Sequence, residues 1–244
     1  MIGLPDGITA CLFDLDGVLT STAALHEIAW RRTFDEFLAT RPDGDRSPFT
    51  QRDYTSYVDG RPRADGVRTF LDARGVHLPE GAADDPPGAA TVNGVGNKKN
   101  ELLLEIIDER GVEAYPGSVA YIRAAKRAGL AIGVVTSSAN GEHVLDAADL
   151  TQYVQARVDG VVITRDHLRG KPAPDSFLAG AKALGVAPSA AAVFEDALSG
   201  VEAGRAGEFG YVVGVDRADQ ADALRERGAD IVVDDLADLL DGKP

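Results

Sequence analysis

Two aspartates one residue apart close the first apolar run of the chain, in Phe13-Asp14-Leu15-Asp16-Gly17-Val18-Leu19-Thr20. Side chains of an extended strand alternate between faces, so Asp14 and Asp16 project to the same side, and Gly17 permits the turn that leaves them open. Carboxylates held that close stay ionised together only beside a cation; otherwise one binds a proton. Three later segments supply what such a pair would work with. Thr136-Ser137-Ser138 offers hydroxyls and backbone N–H groups ahead of a helix, a suitable cradle for phosphate oxygens. Lys171-Pro172-Ala173-Pro174-Asp175 brings a cation, and Glu195-Asp196 brings two more carboxylates. Each segment alone has a plainer reading as a helix cap, a surface turn or a solvated acidic pair. Their order and their shared position after strands carry the inference.

Those strands are short β-branched apolar runs at residues 8–13, 130–136, 192–194, 211–215 and 231–233. Helical stretches at 118–128, 139–148, 175–184 and 198–204 alternate with them. This pattern predicts an α/β fold, a Rossmann-like parallel sheet with helices on both faces, whose sites gather beyond the carboxyl ends of the strands. The alternation breaks once, between about 23 and 114, where helical periodicity and loops replace buried strands. A helical domain inserted after the first strand is expected, giving a discontinuous core of 1–21 and 115–244 around a cap of 22–114. Within it, 23–39 reads as one helix, 41–44 as a turn and 81–97 as a loop. Gly94-Val95-Gly96 lacks the third glycine and the preceding strand of a dinucleotide fingerprint.

One reaction uses all the parts. Mg²⁺ prefers oxygen ligands, a few carboxylates with phosphate and water, which Asp14, Asp196 and the Asp16 region could supply. A carboxylate can attack phosphorus, while Lys171 and the Thr136 hydroxyl neutralise and position the transferring group. A second carboxyl, for which Asp16 is the natural candidate, would serve the leaving oxygen and then the next nucleophile.

Together, Asp14-x-Asp16-Gly17-Val18, Thr136 or Ser137, Lys171 and Glu195-Asp196 resemble the four ordered motifs of the haloacid dehalogenase superfamily. The helical insertion resembles that superfamily's smaller mobile cap. The resemblance implies Asp14 as nucleophile, Asp16 as acid and base, and Thr136 and Lys171 as phosphate ligands. It implies Asp14, Asp196 and the Asp16 carbonyl as Mg²⁺ ligands, with Glu195 as a secondary metal-site residue. A narrower resemblance is to the β-phosphoglucomutase-like subfamily. Thr22, His26 and Trp30 match its cap helix, Gly60-Arg61-Pro62-Arg63 its cap loop, Lys99-Asn100 its cap lysine segment, and Ser137-Ser138-Ala139-Asn140 its second-motif tail. By that match Ser137, Ser138 and Asn140 join the phosphate site, His26 and Lys99 couple the cap to substrate, and Arg63 holds the phosphate that is not transferred. Arg61 and Lys98 are the alternatives to Arg63 and Lys99, and Trp30 is either core packing or a sugar platform. Ser21 stands where the subfamily has an acidic residue, and Thr136 where it has serine.

The resemblance implies a phosphosugar mutase acting on a small sugar phosphate. A phosphatase on the same core and a catalytically silent sugar-phosphate-binding protein are the rivals. Acidic residues outnumber basic ones 39 to 25, a net charge of -14, so neither nucleic acid nor an anionic membrane is an expected partner. The single cysteine, Cys11, can form no internal disulfide, and residues 1–6 lack the features of a secretory leader. A cytoplasmic location is expected. Nothing in the sequence sets the oligomeric state, for which a monomer is the starting expectation.

Overall fold

The computed structural model describes residues 2–41 and 45–240. Strand β1 (Ala10–Phe13) leads into helices α1 (Thr22–Ala39), α2 (Gln51–Asp53), α3 (Arg63–Ala73) and α4 (Val92–Arg110). The chain then runs α5 (Pro116–Arg127), β2 (Ala131–Val135), α6 (Gly141–Ala147), β3 (Ala156–Val158), α7 (Gly160–Arg165) and α8 (Asp175–Leu184). It ends with β4 (Ala191–Glu195), α9 (Leu198–Ala206), β5 (Tyr211–Val215), α10 (Ala221–Glu226) and β6 (Ile231–Val233). Contacts divide it into two units, Met1–Ser21 with Val112–Pro244, and Thr22–Gly111.

In the first unit the strands form one sheet in the order β3-β2-β1-β4-β5-β6, every neighbouring pair parallel. This is the α/β class expected from the alternation of apolar runs and helices. The central strand β1 is buried at all four residues, as a strand covered on both faces must be. On one face Leu12 packs with Phe177 and Ala181 of α8. On the other, Phe13 stacks on Phe194 at 4.4 Å and meets the Tyr121 ring of α5 edge-on at 6.2 Å. Helix α5 starts with Pro116 in its first turn and ends with Lys126 and Arg127, which suit the partial charges of the two helix ends.

Strand β3 is an addition to the expected set. It has three residues, and its middle one, Arg157, pairs with Asp159 at 2.9 Å and Glu142 at 3.0 Å. So short and charged a segment presents no apolar run, and its pairing with β2 comes from tertiary context. Helices α7 and α10, of six residues each, were equally hidden by their length.

The second unit is helical, with no strand among its described residues. Helix α1 turns Trp30, Phe34 and Leu38 inward at four-residue spacing. Trp30 stacks on Phe34 at 5.0 Å, and Phe34 packs on Phe70 at 4.2 Å. The turn expected at 41–44 lies, from residue 42 on, outside the described residues. The loop expected over 81–97 is corrected: from Val92 the chain is helical, with the Thr91 side chain accepting from the Gly94 N–H at 2.9 Å. The two glycines inside this helix serve close packing: a Cβ at Gly94 would lie 2.6 Å from the Ala89 carbonyl oxygen, and one at Gly96 3.2 Å from Arg63 Cγ. Asn97 donates to the carbonyls of Ala83 and Asp85 and Asn93 to that of Gly81, so the preceding segment is pinned to α4. Among the described residues no helix is long and apolar enough to cross a membrane.

Candidate active site

Strands β1 and β4 are neighbours in register, and the ladder continues one step past β1, where the Asp14 N–H donates to the Phe194 carbonyl at 2.9 Å. Their carboxyl ends therefore deliver Asp14 and Glu195-Asp196 together. One carboxylate oxygen from each of Asp14, Glu195 and Asp196 lies within 4.8 Å of the others, and all three residues are buried. Lys171, from the loop ahead of α8, is 1% exposed and extends its ammonium into this group. Its Nζ donates to Asp14 Oδ1 at 2.5 Å and to Glu195 Oε1, and lies 4.8 Å over the Phe177 ring. Burial alone would lower the Lys171 pKa, but the two carboxylates hold it above its ordinary value. Burial pushes the Asp14 carboxyl well above the usual range; Lys171 opposes this, and the charges of Glu195 and Asp16 add to it.

Three buried carboxyl groups around one ammonium leave an excess of negative charge, which a divalent cation would relieve. Oxygen donors alone suit a hard ion of the Mg²⁺, Ca²⁺ or Mn²⁺ kind. Glu195 has both oxygens engaged, Oε1 by Lys171 and Oε2 by the Ala197 N–H at 2.8 Å.

The turn after Asp16 runs hard against this group. Gly17 has φ +98°, and a Cβ there would lie 1.9 Å from Asp196 Oδ2, so only glycine fits. The turn is closed by Gly17 N–H to the Thr20 carbonyl at 2.8 Å and Thr20 N–H to the Leu15 carbonyl at 3.0 Å. Asp16 is less buried than Asp14, and its Oδ2 accepts from the Thr136 hydroxyl at 3.0 Å. Thr136 follows β2 directly. Its Oγ1 also receives the Ser138 N–H at 3.1 Å, and Ser138 Oγ receives the Asn140 N–H at 3.2 Å. The loop of Thr136, Ser137, Ser138 and Asn140 thus uses part of its donor set on its own shape and ties itself to Asp16.

In the second unit Lys99 Nζ lies 3.0 Å from His26 Nδ1 and 5.0 Å over the Trp30 ring, itself 3% exposed. Lys98 points elsewhere and pairs with Glu101 at 2.8 Å. The Arg63 stem lies against α4, where a Cβ at Gly96 would meet Arg63 Cγ at 3.2 Å, and burial lowers the Arg63 pKa. His26, Trp30 and Lys99 thus form one group, with Arg63 packed against the helix that carries Lys99.

Two residues escaped the sequence reading. Arg217 Nε donates to the Gly17 carbonyl at 2.9 Å, and Gln220 Nε2 donates to the Asp196 carbonyl at 3.0 Å. The one available signal was their place beyond the carboxyl end of β5, where sites of such sheets collect.

A family model described as haloacid dehalogenase-like hydrolase matches residues 8–207. A Mycobacterium tuberculosis protein named β-phosphoglucomutase is 53% identical, over 98% of this chain and 94% of its own length. A Streptomyces hygroscopicus protein named validoxylamine A 7'-phosphate phosphatase is 30% identical, over 93% of this chain and 94% of its own. Among solved structures, a Clostridium difficile β-phosphoglucomutase shares the fold, with TM-score 0.75 and 24% identity over 95% of this chain and 93% of that one.

Proposed function

The chain belongs to the haloacid dehalogenase-like hydrolase family and is a phosphotransferase of that type, and on that premise we propose that it is a phosphosugar mutase working through a phosphorylated Asp14. The proposed substrate is β-glucose 1-phosphate or a related sugar phosphate, converted to its 6-phosphate. The observation that carries this is Asp14 itself, buried in an acidic group with Oδ1 held by Lys171. That bond leaves the attack on phosphorus to Oδ2.

As Asp14 bonds to phosphorus, the bond from phosphorus to the sugar oxygen breaks, and Asp16 gives that oxygen a proton. In the return step Asp16 takes the proton from the sugar hydroxyl that receives the phosphoryl group. The Thr136 hydroxyl orients Asp16 from one side. Lys171 binds the transferring phosphoryl oxygens, joined by Thr136 once its hydroxyl turns from Asp16 to them, with Ser137, Ser138 and Asn140 on the same loop. Asp14, Asp196 and the Asp16 carbonyl would hold Mg²⁺, with Glu195 behind them. Bound there, the ion supplies charge neutralisation to the phosphoryl group.

A mutase must also bind a second phosphate. Lys99 and Arg63 are the proposed cations for it, with His26 bonded to Lys99. Trp30 is assigned to packing beneath Lys99 rather than to sugar contact. The second reading, a phosphatase in which water resolves the intermediate, is supported by the name of the Streptomyces relative. Supplying β-glucose 1-phosphate with a trace of its 1,6-bisphosphate separates the two. The mutase gives glucose 6-phosphate with little free phosphate; free phosphate as the main product would establish the phosphatase instead.

A further inference from the structure

One loop bonds the backbone beside both halves of the acidic group without contributing a carboxylate to it. Residues 216–220, between β5 and α10, are shaped by Asp216, whose Oδ1 accepts from the N–H groups of Ala218 at 3.1 Å and Gln220 at 2.9 Å. The loop is anchored beside β6 by the Asp216 N–H to the Val233 carbonyl and by Arg217 Nη1 to the Asp234 carbonyl, both at 2.8 Å. From this base the Arg217 guanidinium lies 3.8 Å over the Tyr115 ring and sends Nε to the Gly17 carbonyl. Gln220 sends its amide to the Asp196 carbonyl. Gly17 directly follows Asp16 and Asp196 directly follows β4, so one loop bonds the backbone of both acid-bearing segments.

We infer that Arg217 and Gln220 are positioning residues that fix the spacing of Asp14, the Asp16 carbonyl and Asp196, and thereby set the affinity of the site for its divalent cation. The inference rests on the metal-site reading above. The contact between Gly17 and Asp196 shows how little slack there is: a single added methyl would overlap the carboxylate. A planar guanidinium clamped between a ring and two carbonyls fixes a backbone oxygen more firmly than a lysine could, because its donors are held in one plane. Partners of this kind, bonded behind the ligands, commonly set metal affinity by about 10–100-fold.

The test uses the full chain and Mn²⁺ alone, with free Mn²⁺ counted by electron paramagnetic resonance, for the wild type, Arg217→Met and Gln220→Leu. Each variant is expected to bind Mn²⁺ at least about tenfold more weakly than the wild type. Saturating Mg²⁺ should restore kcat while KM for the sugar phosphate stays within about twofold, a split that general loss of structure would not give. Gln220→Leu removes one bond from a half-buried side chain, so it decides the matter if Arg217→Met fails to fold. Folded variants that bind Mn²⁺ as tightly as the wild type would overturn the inference and leave the metal-site reading standing. A wild type with no saturable Mn²⁺ site would overturn both.

Discussion

Lys171→Met removes the ammonium from the buried group while keeping an unbranched stem against Phe177. Nothing else in the described site neutralises Asp14 and Glu195 at such short range, since Lys171 bonds both and is almost wholly buried. Removing one partner of a buried ion pair costs about 3–5 kcal/mol, against a total stability of about 5–15 kcal/mol. The loss depends on pH. Asp14 is already held above the usual range in the wild type, where Lys171 opposes the shift; with the cation gone its proton is held more strongly still, at pH values where the unfolded state has released it. Stability then falls as pH rises between the unfolded and folded values. At about 1.36 kcal/mol per pH unit, one extra retained proton can deepen the deficit between pH 5.5 and 7.5 by no more than about 2.7 kcal/mol. Lys171 itself, held above its ordinary value in the wild type, stays charged across this window and adds no slope. Urea unfolding of wild type and variant in chelator-treated buffer at the two pH values measures the difference. The expected deficit is about 3–5 kcal/mol at pH 7.5 and smaller at pH 5.5, with m unchanged. A deficit below about 1 kcal/mol at pH 7.5, or the same deficit at both values, would refute the idea that Lys171 neutralises this group.

Gly17→Ala should weaken Mn²⁺ binding at least about tenfold, because its Cβ must displace the Asp196 carboxylate; unaltered binding would show that Asp196 holds no metal. Trp30→Ala should cost roughly 3–5 kcal/mol of stability by chemical denaturation, as expected for a buried ring stacked on Phe34, whereas Lys98→Ala, at an exposed pair, should cost under about 1 kcal/mol. Cys11 is fully buried and burial pushes its thiol up to about 12, so a thiol reagent at pH 8 should label it only as fast as the sheet opens. Rapid labelling of the native protein would contradict the central placement of β1.

What could be read beforehand follows physical rules that leave traces in residue type. Strands β5 and β6 fall at 211–215 and 231–233 and helix α8 at 175–184, as expected, because buried parallel strands must be continuously apolar and amphipathic helices must repeat. Strand β3 left no trace, since Arg157 at its centre is ion-paired with Glu142 and Asp159 and breaks the apolar run. The start of α4 differs from the sequence expectation because its glycines have a loop's composition, while the segment packed against them is what requires glycine in the helix. In the site, acids and a lysine after strands announce themselves by chemistry. That Lys171 lies within the acidic group, that Thr136 is tied to Asp16, and that Lys99 rather than Lys98 meets His26 are facts of packing. Arg217 and Gln220 bond to backbone carbonyls, which every residue carries, so no pattern of side chains could reveal them.

The phosphorylated Asp14 is tested most directly by mixing the protein briefly with the sugar 1,6-bisphosphate, quenching in acid and mapping the phosphate by mass spectrometry. The phosphate should lie on the peptide containing Asp14 and be absent from Asp14→Asn, which should fold normally and turn over no substrate. Phosphate found on another residue, or turnover preserved in Asp14→Asn, would contradict the assignment of Asp14 as the nucleophile.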